Sequence, residues 1–277
     1  MPLKLSEREF ALLCKLIKKK LGISCRPEKR MRLNRKLAPR LRNLGLASYD
    51  SYYRYLQGPE GCKELQNLIN LVTVNQTSFF RGGRQFAFLR EQIIPDIFRR
   101  KRGKRQIRFW CAGCSTGQEP YSLAMLVKEI AGADHLGWDI KILATDVDTA
   151  TLKTAFRGLY SEDEVSPIPN TYLLKYFSMQ KRENEKVFLV KDGLKEILAF
   201  RQHNLSQLPF PLKGPLDLLL CRNVMIYFDV VMKEKIIDEF HRLLGPEGCL
   251  CLGFSESLLG VEDRFASMGC AAYRKTS

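Results

Sequence analysis

Trp110-Cys111-Ala112-Gly113-Cys114-Ser115-Thr116-Gly117-Gln118-Glu119-Pro120-Tyr121 is the stretch on which the fold turns. It runs from strand-forming residues (107–111) through a turn of small residues into a helix opened by Pro120, where the missing N–H would have had no helical partner anyway. Downstream, the same alternation repeats. Residues 139–144 read as a second strand with a helix after Asp148, and 197–202 and 216–221 as further strands. A helix follows over 230–244, then a strand over 249–253 that 271–275 is placed to meet antiparallel. Strands alternating with helices predict an α/β fold with a doubly wound, mostly parallel sheet, which takes its ligands at the carboxyl ends of the strands. Residues 184–196 read as a short inserted hairpin.

Three strand ends therefore carry the candidate site. The Gly113-x-x-x-Gly117 spacing lets a backbone approach a ligand closely, but it is neither the three-glycine dinucleotide fingerprint nor a P-loop. A tight turn with no ligand explains it equally well. Asp146 closes the second strand, where a carboxylate accepts both hydroxyls of a ribose. Asp148 reads as the cap of the next helix, which leaves Asp146 for the ribose. Cys221-Arg222-Asn223-Val224-Met225-Ile226-Tyr227-Phe228 is a polar strand end running into two aromatics. Together the three point to an adenosine-containing cofactor without choosing one.

Ahead of the sheet region the pattern is helical. Phe10, Leu13, Ile17 and Leu21 recur at helical spacing behind a Ser6/Glu9 capping box, and Gly22 ends that helix. A second helix from about residue 27 to 43 has Leu33, Leu37, Leu41 and Leu44 on one stripe and Arg32, Lys36 and Arg40 among its basic residues. Shorter helical patterns follow through 49–56 and 62–71. Residues 1–80 hold 16 Lys+Arg against 6 Asp+Glu in a chain of 277 residues and net charge +15, so the basic excess sits mostly in front. A basic front meets something acidic, whether nucleic acid, an anionic membrane or an acidic protein. The run 99–105 reads as a solvated polar connector. No apolar stretch has the ~20 residues of a membrane span. The first residues do not read as a signal peptide, and nine scattered cysteines fit reduced thiols, so a cytoplasmic location is expected. Cys111 and Cys114 have no second pair at ligand spacing, and no metal site is expected.

Four segments occur in order: Asn75-Gln76-Thr77-Ser78-Phe79-Phe80-Arg81, residues 114–122, Ala144-Thr145-Asp146-Val147-Asp148, and residues 221–228. Together they closely resemble the chemotaxis receptor glutamate methyltransferases of the CheR type, over nearly the whole chain. The resemblance implies a protein-glutamate O-methyltransferase that uses S-adenosylmethionine and releases S-adenosylhomocysteine. It implies a helical domain over 1–72, a linker and helix over 73–100 closing over the cofactor, and a methyltransferase domain over 101–277 with a small β-subdomain at about 178–197. Cofactor contacts would be Asn75, Thr77, Arg81, Glu119, Asp146, Asn204, Leu205, Asn223 and Val224, and Arg81 and Tyr227 would hold the accepting carboxylate. The basic helix (Arg32, Lys36, Arg40) would dock the cytoplasmic helices of a chemoreceptor. Whether the β-subdomain takes a receptor tail peptide is left open.

Two positions depart from the family pattern. Gly82-Gly83 stand where a polar or acidic residue and a firm helix start are expected, which predicts a looser loop. Gln118 stands where an acid is common, which removes a charge beside the cofactor. The chemistry is self-consistent, because a glutamate is ionised at neutral pH and no histidine is needed as a base. Two competing readings remain. A nucleic-acid methyltransferase lacks its usual Asn/Asp-Pro-Pro-Tyr/Phe here and any stacking aromatics in the basic helix, so no nucleic-acid partner is expected. A non-catalytic cofactor sensor would be expected to have lost Arg81 or Asp146.

Overall fold

The computed structural model describes residues 3–24, 27–132, 137–182, 185–258 and 262–276. Four helices open the chain: α1 (Glu7–Leu21), α2 (Arg30–Asn43), α3 (Tyr49–Gln57) and α4 (Gly61–Val72). The Ser6/Glu9 capping box forms, and left-handed Gly22 closes α1. A 3-10 turn over Pro27–Lys29 precedes α2, so that helix starts later than its sequence pattern suggests. Leu13, Ile17, Leu33, Leu37, Leu41, Tyr49, Tyr52 and Leu68 form the bundle's own core. Each such burial contributes on the order of 1.5–3 kcal/mol.

Next come α5 (Gly83–Phe88), a π-helical turn at Leu89–Ile93, and α6 (Ile94–Lys101). The first three residues of the expected connector 99–105 are thus helix. Arg99 and Arg100 pair with Asp96, and Lys101 reaches the buried Asp217 at 2.6 Å. Then follow β1 (Gln106–Ala112), α7 (Gln118–Ala131), β2 (Asp139–Asp146), α8 (Thr149–Arg157), β3 (Leu159–Ser161), α9 (Glu162–Val165), α10 (Asn170–Tyr176), β4 (Phe177–Arg182) and β5 (Glu185–Val190). The chain ends with α11 (Asp192–Lys195), β6 (Leu198–Gln202), β7 (Leu216–Cys221), α12 (Val230–Leu243), β8 (Leu244–Leu252), β9 (Phe265–Gly269) and β10 (Ala272–Lys275).

The main sheet has seven strands in the order β6-β2-β1-β7-β8-β10-β9. The first five are mutually parallel, and β10 pairs antiparallel with β8, as its sequence position suggests. Every residue of β7 is buried, as a central parallel strand requires. The strand order reverses between β1 and β7, and that crevice is where a doubly wound sheet binds its ligand. The inserted hairpin is β4 with β5, joined by β3 into a small antiparallel sheet. It therefore lies earlier than 184–196, and residue 184 is outside the described residues. The β-rich run Glu185–Val190 sets its position, and the end of the expected stretch folds instead as α11.

The helical bundle seats on the carboxyl edge of the main sheet. Ile23 bridges to Phe228, the Ser24 N–H donates to the Tyr227 carbonyl at 3.0 Å, and Gln66 Nε2 donates to the Val147 carbonyl at 3.0 Å. Asn70 reaches Thr149, and Lys18 pairs with Asp229. The sheet's ligand end therefore has a roof made by the basic domain.

Candidate functional site

A cavity of about 280 Å³ lies under that roof. Asn75, Thr77 and Arg81 line it from the segment between α4 and α5, and Glu119 from the first turn of α7. Asp146 comes from the end of β2, Asn204 and Leu205 from beyond β6, and Asn223, Val224 and Tyr227 from beyond β7. The residues that the resemblance assigned to the cofactor and the accepting carboxylate thus line one space. Lys29, Ser115, His203 and Arg222 also line it without having been assigned a role from the sequence.

The floor is set by the turn after β1. Gly113 has φ +82°, and a Cβ there would come within 2.4 Å of Val224 Cγ2. Only glycine lets this turn lie against the end of β7. Asp146 sits beside it, its Oδ2 accepting from the Ser115 N–H at 2.8 Å and its Oδ1 from the Asp148 N–H at 2.9 Å. Burial raises the Asp146 pKa against these two bonds, which favour the charged form. Each oxygen keeps further accepting capacity. Asp148 caps α8 through the Ala150 and Thr151 N–H groups, and its other oxygen accepts from Thr73 Oγ1 and Asn75 Nδ2, both at 2.7 Å. Asn75 thus binds the cap through its amide, while its carbonyl accepts from Ser115 Oγ at 3.1 Å.

Asn204 is similarly committed. Its Oδ1 takes the Ser206 N–H and hydroxyl, and its Nδ2 donates to the Lys20 carbonyl at 2.8 Å. It ties the end of α1 to the wall formed by Leu205. His203, beside it, stacks edge-on with Phe210, and burial lowers its pKa. Its Nε2 is buried with no hydrogen-bond partner among the described residues. Nothing in its sequence context marked it.

The far wall is charged. Glu119 is half-buried, and its desolvation raises its pKa; the guanidinium of Arg222, and next Arg81, pull it back down. Arg222 Nη1 donates to Glu119 Oε2 at 2.7 Å, and Nη2 to the Arg81 carbonyl at 2.6 Å. Arg81 Nη1 donates to the Gln76 carbonyl at 2.7 Å. Tyr227 is partly desolvated, which raises its pKa, and the charges of Arg32 and Arg81 oppose that rise. Lys29 Nζ lies 5.4 Å from the Tyr227 ring centre.

The structure corrects three expectations. The Gly82-Gly83 turn is tied down: the Gln85 N–H donates to the Gly82 carbonyl at 2.8 Å, and buried Gln85 Nε2 donates to the Leu252 and Cys270 carbonyls. Gln118 does not line the cavity; it is buried against Thr116 and Glu164. In the basic helix, Arg40 forks onto buried Glu64, and Lys36 Nζ donates to the Leu71 carbonyl at 2.5 Å at the end of α4. Both are spent on internal partners, whereas Arg32, Arg35 and Arg42 are exposed. The Cys111 and Cys114 thiols are buried, which pushes both pKa values up and keeps them protonated.

Residues 75–274 match the family model described as CheR methyltransferase, SAM binding domain, and residues 8–73 that of the CheR methyltransferase all-alpha domain. The chemotaxis protein methyltransferase of Escherichia coli is 35% identical over 271 residues, covering 98% of this chain and 92% of the relative. That of Borreliella burgdorferi is 33% identical over 258 residues, covering 92% and 90%. With both halves matched and the cavity lying where a doubly wound sheet holds a nucleoside, the chain belongs to the CheR family of S-adenosylmethionine-dependent methyltransferases.

Proposed function

We propose that the protein methylates glutamate side-chain carboxylates in the cytoplasmic helices of chemoreceptors, forming methyl esters for sensory adaptation. The observation that carries this reading is that Arg81 and Tyr227 both line a cavity that Asp146 also faces. Among the described residues, no helix is long and apolar enough to cross a membrane. The reading places the enzyme in the cytoplasm, at the receptor's inner end.

The cavity suits the cofactor on its own terms. Asp146 keeps accepting capacity for two ribose hydroxyls, Gly113 brings backbone close, and Leu205 and the orphaned His203 Nε2 border a pocket with room for a base. Asn223, Val224, Asn75, Thr77, Arg81 and Glu119 enclose the remainder. Bound S-adenosylmethionine supplies a methyl group on a sulfonium, a leaving group that needs no protonation. The acceptor glutamate needs no base, since its ordinary pKa of about 4.3 leaves it ionised.

The protein's task is positioning, exclusion of water and control of charge. Arg81 offers a planar donor fork with one arm already on the Gln76 carbonyl, so it orients the carboxylate without gripping both oxygens. Tyr227 donates the second contact as a neutral phenol. Arg32, exposed and within electrostatic reach of Tyr227, attracts acidic helices toward the mouth. The small sheet of β3, β5 and β4 has open edges suited to a receptor tail peptide adding as a further strand. A test is transfer of labelled methyl to receptor fragments with and without their methylation-helix glutamates replaced by alanine. Label that persists after the replacement would contradict the substrate assignment.

A further inference from the structure

Arg222 follows β7 with a side chain only 4% exposed, and its guanidinium pairs with Glu119. One arm of its fork holds Glu119 Oε2 and the other holds the Arg81 carbonyl, while the guanidinium carbon lies 5.4 Å from the Phe86 ring centre. Its Nε is buried with no hydrogen-bond partner among the described residues. A buried donor left unpaired is unfavourable, so this arrangement is not one that folding stability alone selects. Gly82 is fitted to it: at φ +73°, a Cβ there would come within 2.8 Å of Arg222 Nη2. The glycine that departs from the expected pattern is therefore the residue that lets the guanidinium approach the turn.

We propose that Arg222 is a positioning residue for methyl transfer, which locks the Arg81–Gly82 turn to Glu119 and so presets two walls of the cofactor cavity before ligand arrives. The proposal rests on the assignment of Arg81 and Glu119 to that site. Arg222 is also the largest of the charges that lower the Glu119 pKa against desolvation. The other groups within reach of Glu119 are Arg81 on the turn, Glu256 beyond β8, and Cys111, Cys114, Cys221 and Cys251. The four thiols are raised by burial and neutral, and Glu256 opposes ionisation. With Arg222 removed, Arg81 is the next charge among the described residues that favours the ionised form of Glu119.

Binding of S-adenosylhomocysteine, measured by titration calorimetry from pH 5.5 to 8.5, tests this on Arg222→Met, Glu119→Gln, the double variant and Gly82→Ala. Arg222→Met should bind about tenfold or more weakly at pH 7, a loss of ~1.4 kcal/mol, and the acid fall-off of its affinity should move to higher pH. The double variant should lose that fall-off and bind no more than about threefold worse than the weaker single variant, because the two residues act as a unit. Gly82→Ala, which keeps every charge, should also weaken binding, and it carries the test if Arg222→Met does not fold. Wild-type affinity in Glu119→Gln would sink the assignment of Glu119. Wild-type affinity and an unmoved pH profile in Arg222→Met, or wild-type affinity in Gly82→Ala, with Glu119→Gln impaired, would overturn the role of Arg222 alone.

Discussion

The main-chain N–H of Asp148 donates to Asp146 Oδ1 at 2.9 Å, so two carboxylates two residues apart are held in one turn but face different tasks. Asp148 spends both oxygens on protein: one on the first N–H groups of α8, the other on Thr73 and Asn75. Asp146 faces the cavity with accepting capacity to spare. The division follows from helix geometry, since only the residue at the cap reaches the free N–H groups of the next helix.

Substituting the two residues should therefore give opposite phenotypes. Asp146→Ala should lose about tenfold or more in cofactor affinity, in line with the ~1.5–3 kcal/mol of hydrogen bonds to a charged group, with little change in melting temperature. Asp148→Ala should destabilise the fold by about 1–2 kcal/mol through the lost cap and loosen the segment bearing Asn75. Calorimetry and thermal unfolding of both variants check this.

Stability around Asp146 should depend on pH with a defined sign. Burial raises its folded pKa above the ordinary 3.8, so its contribution to stability is greatest below that value and is lost as pH rises through the folded pKa. Without cofactor, Asp146→Asn should gain stability relative to wild type between pH 4 and pH 8. Denaturant midpoints at the two pH values measure it, and a constant difference would contradict the assignment.

Glu64 has the opposite sign. Burial alone would raise its pKa, but hydrogen bonds from Arg40, Asn67 and Tyr52 outweigh burial and leave it depressed. Its contribution is present above the ordinary carboxylate range and lost as pH falls through the folded pKa. Arg40→Ala should cost the helical domain about 3 kcal/mol, toward the lower end for a broken buried pair because Arg40 is 32% exposed. Arg32→Ala, at an exposed position, should leave stability within about 0.5 kcal/mol of wild type. Unfolding midpoints of the two variants decide this. A large loss in Arg32→Ala would show that the basic face is structural throughout.

Much of this was legible in the chain. The alternation of strand and helix, the antiparallel final strand, the Ser6/Glu9 box and the Asp148 cap are local patterns, and each appears where the residues place it. The residues that escaped are those whose meaning is tertiary. Arg40 and Lys36 look identical to Arg32 in sequence, and only the packing of α4 shows that two of the three are occupied internally. Gly82 reads as slack until Arg222, 140 residues later, fills the space a Cβ would need. His203 carried no local signal and Arg222 only its place in a polar strand end, because their roles come from strand ends that meet only in the folded sheet. The strand β9 was missed for a similar reason, since its burial pattern does not alternate cleanly.

Transfer of methyl to a carboxylate held by Arg81 would leave base-labile label on the acceptor. Purified protein, methyl-labelled S-adenosylmethionine and membranes bearing chemoreceptors are incubated, and volatile methanol released by mild alkali is counted for wild type and Arg81→Ala. Wild type should give alkali-labile label, and the variant a rate at least a hundredfold lower, about 2.7 kcal/mol of transition-state stabilisation. Stable label, or an unchanged rate in Arg81→Ala, would contradict such transfer.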